Sequence, residues 1–308
     1  MITHIRISGL LCLIIALFCC TAFPAFGAEK TTPELTPTDA LVNIYCTFKM
    51  GNKTLTATGS GVFISERGVI LTNAHVAQYF LIDGSQARTK GGCSIRTGSP
   101  AMDRYTASVL YIPPAWLERN ITGTNKTPQA TGENDFALLY VTGAKKGDLP
   151  LTFPSVTLDP NQLIQDADSI SLLGYPSENL SSKQIKSKLA SVLASSTVTN
   201  TQQYKGSTYT DVITVAPSPV GRMGSSGGPI LDSEQELIAL ITSKSAAKDD
   251  TTLRGITLSY INRSITNQTA FSLQQLLAEN FAVRAMITSA IIPEDTISTL
   301  AKSIRKKK

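Results

Sequence analysis

The sequence predicts an all-β fold of two barrels with a short helical C-terminal tail. Three features carry that expectation. Short runs rich in β-branched and aromatic residues recur with turn signals between them. The runs fall into two series, divided by a connector that holds Gly147, Pro150, Pro154 and Pro160. Near residue 265 the texture changes to apolar residues at helical spacing. At 308 residues the chain has length for one large domain or two small ones, and 42% apolar with 17% charged residues is globular composition. The formal charge of +5 is mild, and "RKKK" at the end supplies four of the positive charges. No basic stripe is interleaved with aromatics, so nucleic acid is not an expected partner.

In chain order, "MITHIRIS", "GLLCLIIALFCCTAF" and "PAFGAEK" follow the basic, apolar and small-residue order of a secretory signal. Cleavage after Gly27 would place Ala25 and Gly27 at the two positions that need small residues, and Pro24 interrupts the apolar run. The expectation is therefore an exported chain, periplasmic or secreted. The alternative is an uncleaved anchor, the one case in which a membrane would be a partner. Lipid attachment at Cys19 or Cys20 fits poorly, because Phe18 and Cys19 stand where a small residue is wanted.

Residues 28–38, "AEKTTPELTPT", read as a linker. The first barrel spans 39–142 with runs "ALVNIYCTFKM", "LTATGSGVFIS", "GVILTNA", "CSIRTG", "TASVLYI" and "DFALLYV". The connector covers 143–167, and the second barrel 168–264 with "DSISLLGY", "KLASVLASSTVTN", "DVITVA", "PILD", "LIALITS" and "GITLSYI". The tail, 265–308, begins "TAFSLQQLLAENFAVRAMITSAI". Loss of the signal would leave Cys46 and Cys93 as the only cysteines, and one disulfide is the simple expectation in an exported chain. Two buried thiols are the alternative. With one histidine and two distant cysteines in the mature chain, no natural zinc set is present, and neither metal nor cofactor is expected.

The stretch "GRMGSSGGPI" at 221–230 has linker composition, yet strand-like runs flank it on both sides, which places its glycines inside a folded domain. A serine hydroxyl needs a base to take its proton, and the base needs a third group to set its tautomer. His75 is the only imidazole left once His4 departs with the signal. Asp135 opens the apolar run "NDFALLYV", where a buried carboxylate requires a partner and an imidazole N–H supplies one.

Together "GSGVFIS…GVILTNAHV", "NDFALLYV" and "MGSSGGPI" resemble the trypsin-like serine peptidases of the chymotrypsin fold, and among them bacterial members related to the high-temperature-requirement proteases. The resemblance covers about residues 39–262, with the motifs in the order His, Asp, Ser. It implies two perpendicular six-stranded antiparallel barrels with the site in the cleft between them, acting on protein or peptide substrates. It implies Ser226 as nucleophile, His75 as general base, Asp135 as its orienter, and the N–H groups of Gly224 and Ser226 as the oxyanion hole. Ser225 is the competing serine, but it holds the position before the nucleophile.

Departures from the family pattern add expectations. Ser225 replaces the aspartate that pairs with a new N-terminus in digestive and clotting relatives, and no "IVGG" follows the signal, so activity is expected without such a cleavage. No peptide-binding domain follows the barrels. By position, Val220 would form the base of the specificity pocket, with Thr242, Ser243 and Lys244 as its wall strand and Gly255 opposite. An apolar base cannot pair with Arg or Lys, so cleavage after small or medium apolar residues is expected. Two rivals are a catalytically silent relative that acts as a binding or scaffold module, and a lipase-type hydrolase. "GSSGG" formally matches the lipase elbow G-x-S-x-G, but the strand after it and the His-Asp-Ser order argue against that fold.

Overall fold

The computed structural model describes residues 35–50, 52–83, 90–121, 132–244, 251–278 and 294–306. The predicted signal segment and residues 28–34 of the predicted linker lie outside them. Alternation builds the first barrel. In β1 (Leu41–Met50), Ile44, Cys46 and Phe48 are buried while Tyr45 and Thr47 keep part of their surface, the period expected of a strand with one face on a core. β1 pairs antiparallel with β2 (Lys53–Ser65) and with β4 (Lys90–Thr97). β3 (Val69–Thr72), β5 (Met102–Tyr111) and β6 (Ala137–Ala144) close the ring in the order β1-β2-β3-β6-β5-β4. Cys46 and Cys93 face each other in the β1–β4 register and form a disulfide.

The second barrel closes in the order β10-β11-β12-β9-β8-β7. Its strands are β7 (Ser169–Gly174), β8 (Val192–Gln202), β9 (Val212–Val215), β10 (Pro229–Leu231), β11 (Leu237–Lys244) and β12 (Leu253–Thr257). The fold is thus two closed six-stranded antiparallel barrels, and every strand run read from the sequence has its counterpart. The connector is packed rather than loose. Phe153 and Val156 donate backbone hydrogen bonds to Glu66 O and Phe63 O of the first barrel, and Leu237 of the second donates to Thr157 O. The Phe153 ring lies 5.0 Å from Phe63 and 5.3 Å from Tyr105.

The run "GITLSYI" is a strand only as far as Thr257. A helix, Leu258–Thr269, takes over because Thr257 is an N-cap whose hydroxyl accepts the Tyr260 N–H at 3.1 Å. The boundary expected between 264 and 265 therefore falls inside a helix. A short helix, α1 (Pro37–Ala40), precedes β1, and three further helices stand between strands: α2 (Ala74–Asp83), α3 (Pro114–Ile121) and α4 (Ser182–Lys188). α4 begins with a capping box, in which Ser181 Oγ accepts the Gln184 N–H while the Gln184 side chain returns to Ser181. After Thr269 come Leu273–Ala278 and Glu294–Lys306, whose Leu300 is buried in the hydrophobic cluster that the first barrel shares with the helices packed on it. Among the described residues no helix is long and apolar enough to cross a membrane.

Candidate active site

β3 runs directly into α2, so His75 sits in the first helical turn at the strand's end. Asp135 lies two residues before β6, the strand paired with β3. This adjacency in the barrel brings together groups 60 residues apart. His75 Nδ1 and Asp135 Oδ2 are 2.7 Å apart, and Asp135 Oδ1 accepts the His75 backbone N–H at 2.9 Å. The carboxylate therefore grips both the ring and the backbone of one residue. Its side chain is 15% exposed, against 41% for His75. Burial of the inner ring edge pushes the imidazole down. The charge and hydrogen bond of Asp135 push it up, and the net displacement is upward from the ordinary histidine value.

Neighbours that the sequence reading passed over fix this pair. Asn73 Nδ2 donates to the Asp135 carbonyl at 2.8 Å. Asn134 is left-handed, φ 59°, and its N–H donates at 3.0 Å to the Tyr260 hydroxyl. Tyr260 is pushed up to about 12, burial being the largest cause, so it stays a neutral hydroxyl. The helix beginning at Leu258 thereby holds the loop that carries Asp135.

The 221–230 stretch is rigid by its hydrogen bonds. Met223 O accepts the Ser177 N–H at 2.7 Å, Ser225 O accepts the Gly228 N–H at 2.9 Å, and Ile241 O accepts the Gly227 N–H at 2.8 Å. Ser60 of β2 ties the barrels together here: its hydroxyl donates to Gly224 O, and its N–H donates to Ser226 O, both at 2.8 Å. At Gly224, φ 98°, a Cβ would meet Tyr175 O at 2.5 Å; at Gly227, φ 87°, it would meet Ser60 O at 2.1 Å. Both positions require glycine.

The two serines differ in setting. Ser225 is wholly buried and its hydroxyl has no partner. Ser226 borders a cleft of about 690 Å³ that is also lined by His75 and Gly224. In this rotamer its Oγ donates to Thr242 O at 3.4 Å rather than to the imidazole.

The predicted pocket residues lie elsewhere, since none of Val220, Thr242, Ser243 and Gly255 lines this cleft. Val220 is fully enclosed in the second barrel's core. Thr242 is 4% exposed and donates to Arg254 O, and Ser243 pairs with Arg254. A Cβ at Gly255 would meet Ile230 Cδ1 at 2.6 Å. Lys244 ends β11, and its side chain lies outside the described residues. A cluster of three carboxylates, Asp159, Asp232 and Glu236, is also apart from the cleft. Asp232 Oδ1 is taken by the N–H groups of Glu234 and Glu236 in a turn.

A family model described as the trypsin-like peptidase domain matches residues 59–240, more than half of the 308-residue chain. No curated protein matches the chain. The matched span includes Ser60, the His75–Asp135 pair and the glycine-rich loop, and it crosses both barrels. The chain belongs to the trypsin-like peptidase domain family, with the chymotrypsin-like fold.

Proposed function

We propose that the chain is an exported serine endopeptidase acting through Ser226, His75 and Asp135. The observation that carries this reading is the His75–Asp135 hydrogen bond, 2.7 Å long, opening on the same cleft as Ser226. Rotation of the Ser226 side chain turns Oγ from Thr242 O toward the imidazole, a contact often loose until substrate is bound. Oγ then adds to the peptide carbonyl carbon as His75 takes its proton. The C–N bond breaks, His75 gives that proton to the leaving amine, and the acyl group stays on Oγ. A water, deprotonated in turn by His75, releases the acid and restores the serine. Asp135 stabilises the imidazolium in both halves.

The oxyanion needs donors aimed before reaction begins. In a trans peptide the N–H opposes the carbonyl of the same unit. With Met223 O held by Ser177 and Ser225 O held by Gly228, the N–H groups of Gly224 and Ser226 are set on the opposite side of their peptide planes. On the acyl side we read small or medium apolar residues, because Val220, and not a carboxylate that could pair with Arg or Lys, holds that position of the sequence. Export is supported by the signal-like N-terminus and by the Cys46–Cys93 disulfide.

One observation favours a second reading, a catalytically silent binding module: the Ser226 hydroxyl is turned to Thr242 O. Hydrolysis of denatured casein and of quenched peptides separates the two. The peptidase reading expects cleavage by the wild type and its loss in Ser226→Ala. A folded wild type that cuts none of these substrates would leave the binding module.

A further inference from the structure

The proton balance of peptide cleavage fixes where the departing half of a substrate must lie. The leaving nitrogen takes its proton from His75, so the chain that follows the cut bond runs over the imidazole. On that side the structure has a built cavity. The cleft of about 690 Å³ extends from His75 along α2 and is walled by both barrels, in the size range of clefts that enclose most of a small ligand.

Each contributing element sets apolar side chains into its walls, among polar ones such as Thr56, Gln78 and Asn179. β1 and β2 supply Ile44 and Ala57, α2 supplies Val76 and Tyr79, the segment leading into α4 supplies Leu180, and α4 itself supplies Ile185. Among the described residues, Glu178 and His75 are its only titratable lining groups besides the Tyr79 phenol. Burial pushes that phenol up, so it stays neutral. The wall from α4 is held in place from the first barrel. Arg96, 2% exposed in β4, donates to Ile185 O at 3.0 Å and Lys186 O at 2.8 Å, carbonyls that the last helical turn leaves open.

We propose that this cleft is a substrate subsite for the leaving half, and that it selects a large aliphatic or aromatic side chain at the first or second residue after the cut bond. It rests on the peptidase reading above and adds the substrate class. An acidic residue there is disfavoured, because it would lie against these apolar side chains and near Glu178, the one carboxylate that lines the cleft among the described residues.

Acyl transfer reads the subsite without reference to acyl-side preference. A p-nitrophenyl ester of a blocked alanine loads Ser226. An added amino-acid amide then competes with water: its nitrogen attacks the ester carbonyl, the bond to Oγ breaks, and the proton passes through His75 back to Oγ. Leucine and phenylalanine amides are expected to capture the acyl group at least tenfold better than glycine or aspartate amides. Ile185→Asp, or Leu180→Asp if the first does not fold, is expected to cut the leucine-over-aspartate ratio at least tenfold. Nitrophenol release with equal capture of all four amides overturns the subsite while leaving the peptidase reading intact. So does a ratio that is unchanged in a folded variant. Absence of both nitrophenol release and fluorophosphonate labelling in folded wild type removes the peptidase reading, and the subsite with it.

Discussion

His75 feels two opposed influences, burial that disfavours its charge and a carboxylate that favours it, and the carboxylate wins. In the proposed mechanism the useful form is the neutral imidazole, so activity is expected to fall as pH drops through a pKa held above the ordinary histidine value. In Asp135→Asn the opposing charge is gone and burial remains. The acid limb of kcat/KM is then expected to move to lower pH, and kcat to drop by about 10⁴-fold, as in triads robbed of their orienter. A limb that stays in place would show that another group titrates. The same displacement has a stability consequence of opposite direction. A histidine with a raised folded pKa adds stability that is fully present below its unfolded value, about 6.5, and is lost as pH rises through the folded one.

At the level of elements, α4 is the piece whose position matters most for what the cleft accepts. It is seven residues long with no fully buried residue of its own, and it is held by its capping box, by the packing of half-buried Ile185 on the core and by Arg96. Arg96 also reaches Asn43 Oδ1 and Ala101 O and lies 3.4 Å from Asp103. Arg96→Met leaves several of these acceptors buried without partners. A loss of about 3 kcal/mol in unfolding free energy is expected at one to three per orphaned group, with a raised KM for substrates that fill the leaving side. Equal unfolding midpoints in urea would contradict the role given to Arg96.

Elements also show what the sequence could and could not tell. The three motifs of the proposed triad are legible because each is a local string, a strand meeting a turn, with its residue types dictated by the chemistry proposed for it. The helix at Leu258 was misread as strand because "GITLSYI" alternates well enough, and the deciding cap is one threonine. Ser60, Asn73, Ser177 and Tyr260 were invisible for another reason. Their work is tertiary: Ser60 reaches a carbonyl 164 positions away, and Tyr260 a backbone N–H 126 away. No spacing in a single sequence marks such a partner. Val220 is the converse case, a position counted along the chain that the fold encloses within a core.

The whole molecule depends on two closed barrels meeting along one seam, where β2 of the first touches the serine loop of the second. Nothing in that seam among the described residues calls for a freed N-terminus: Ser60, Ser177 and Gly228 already order the loop. Within the first barrel, the Cys46–Cys93 bridge closes a loop of sequence separation 47. In the chain-entropy view its removal by Cys46→Ala with Cys93→Ala costs about 2–5 kcal/mol. Calorimetry is expected to show a lowered Tm for the double variant. An unchanged Tm would mean that the β1–β4 ladder alone holds the barrel.

The central claim is that Ser226 is a nucleophile made reactive by His75 without prior proteolytic activation. Treating the folded chain with a fluorophosphonate and mapping the adduct by peptide mass spectrometry tests it most directly. We predict one adduct, on Ser226, present without any proteolytic pretreatment and lost in His75→Ala. An adduct on Ser225, labelling that survives in His75→Ala, or labelling that appears only after trimming of the N-terminus would contradict it.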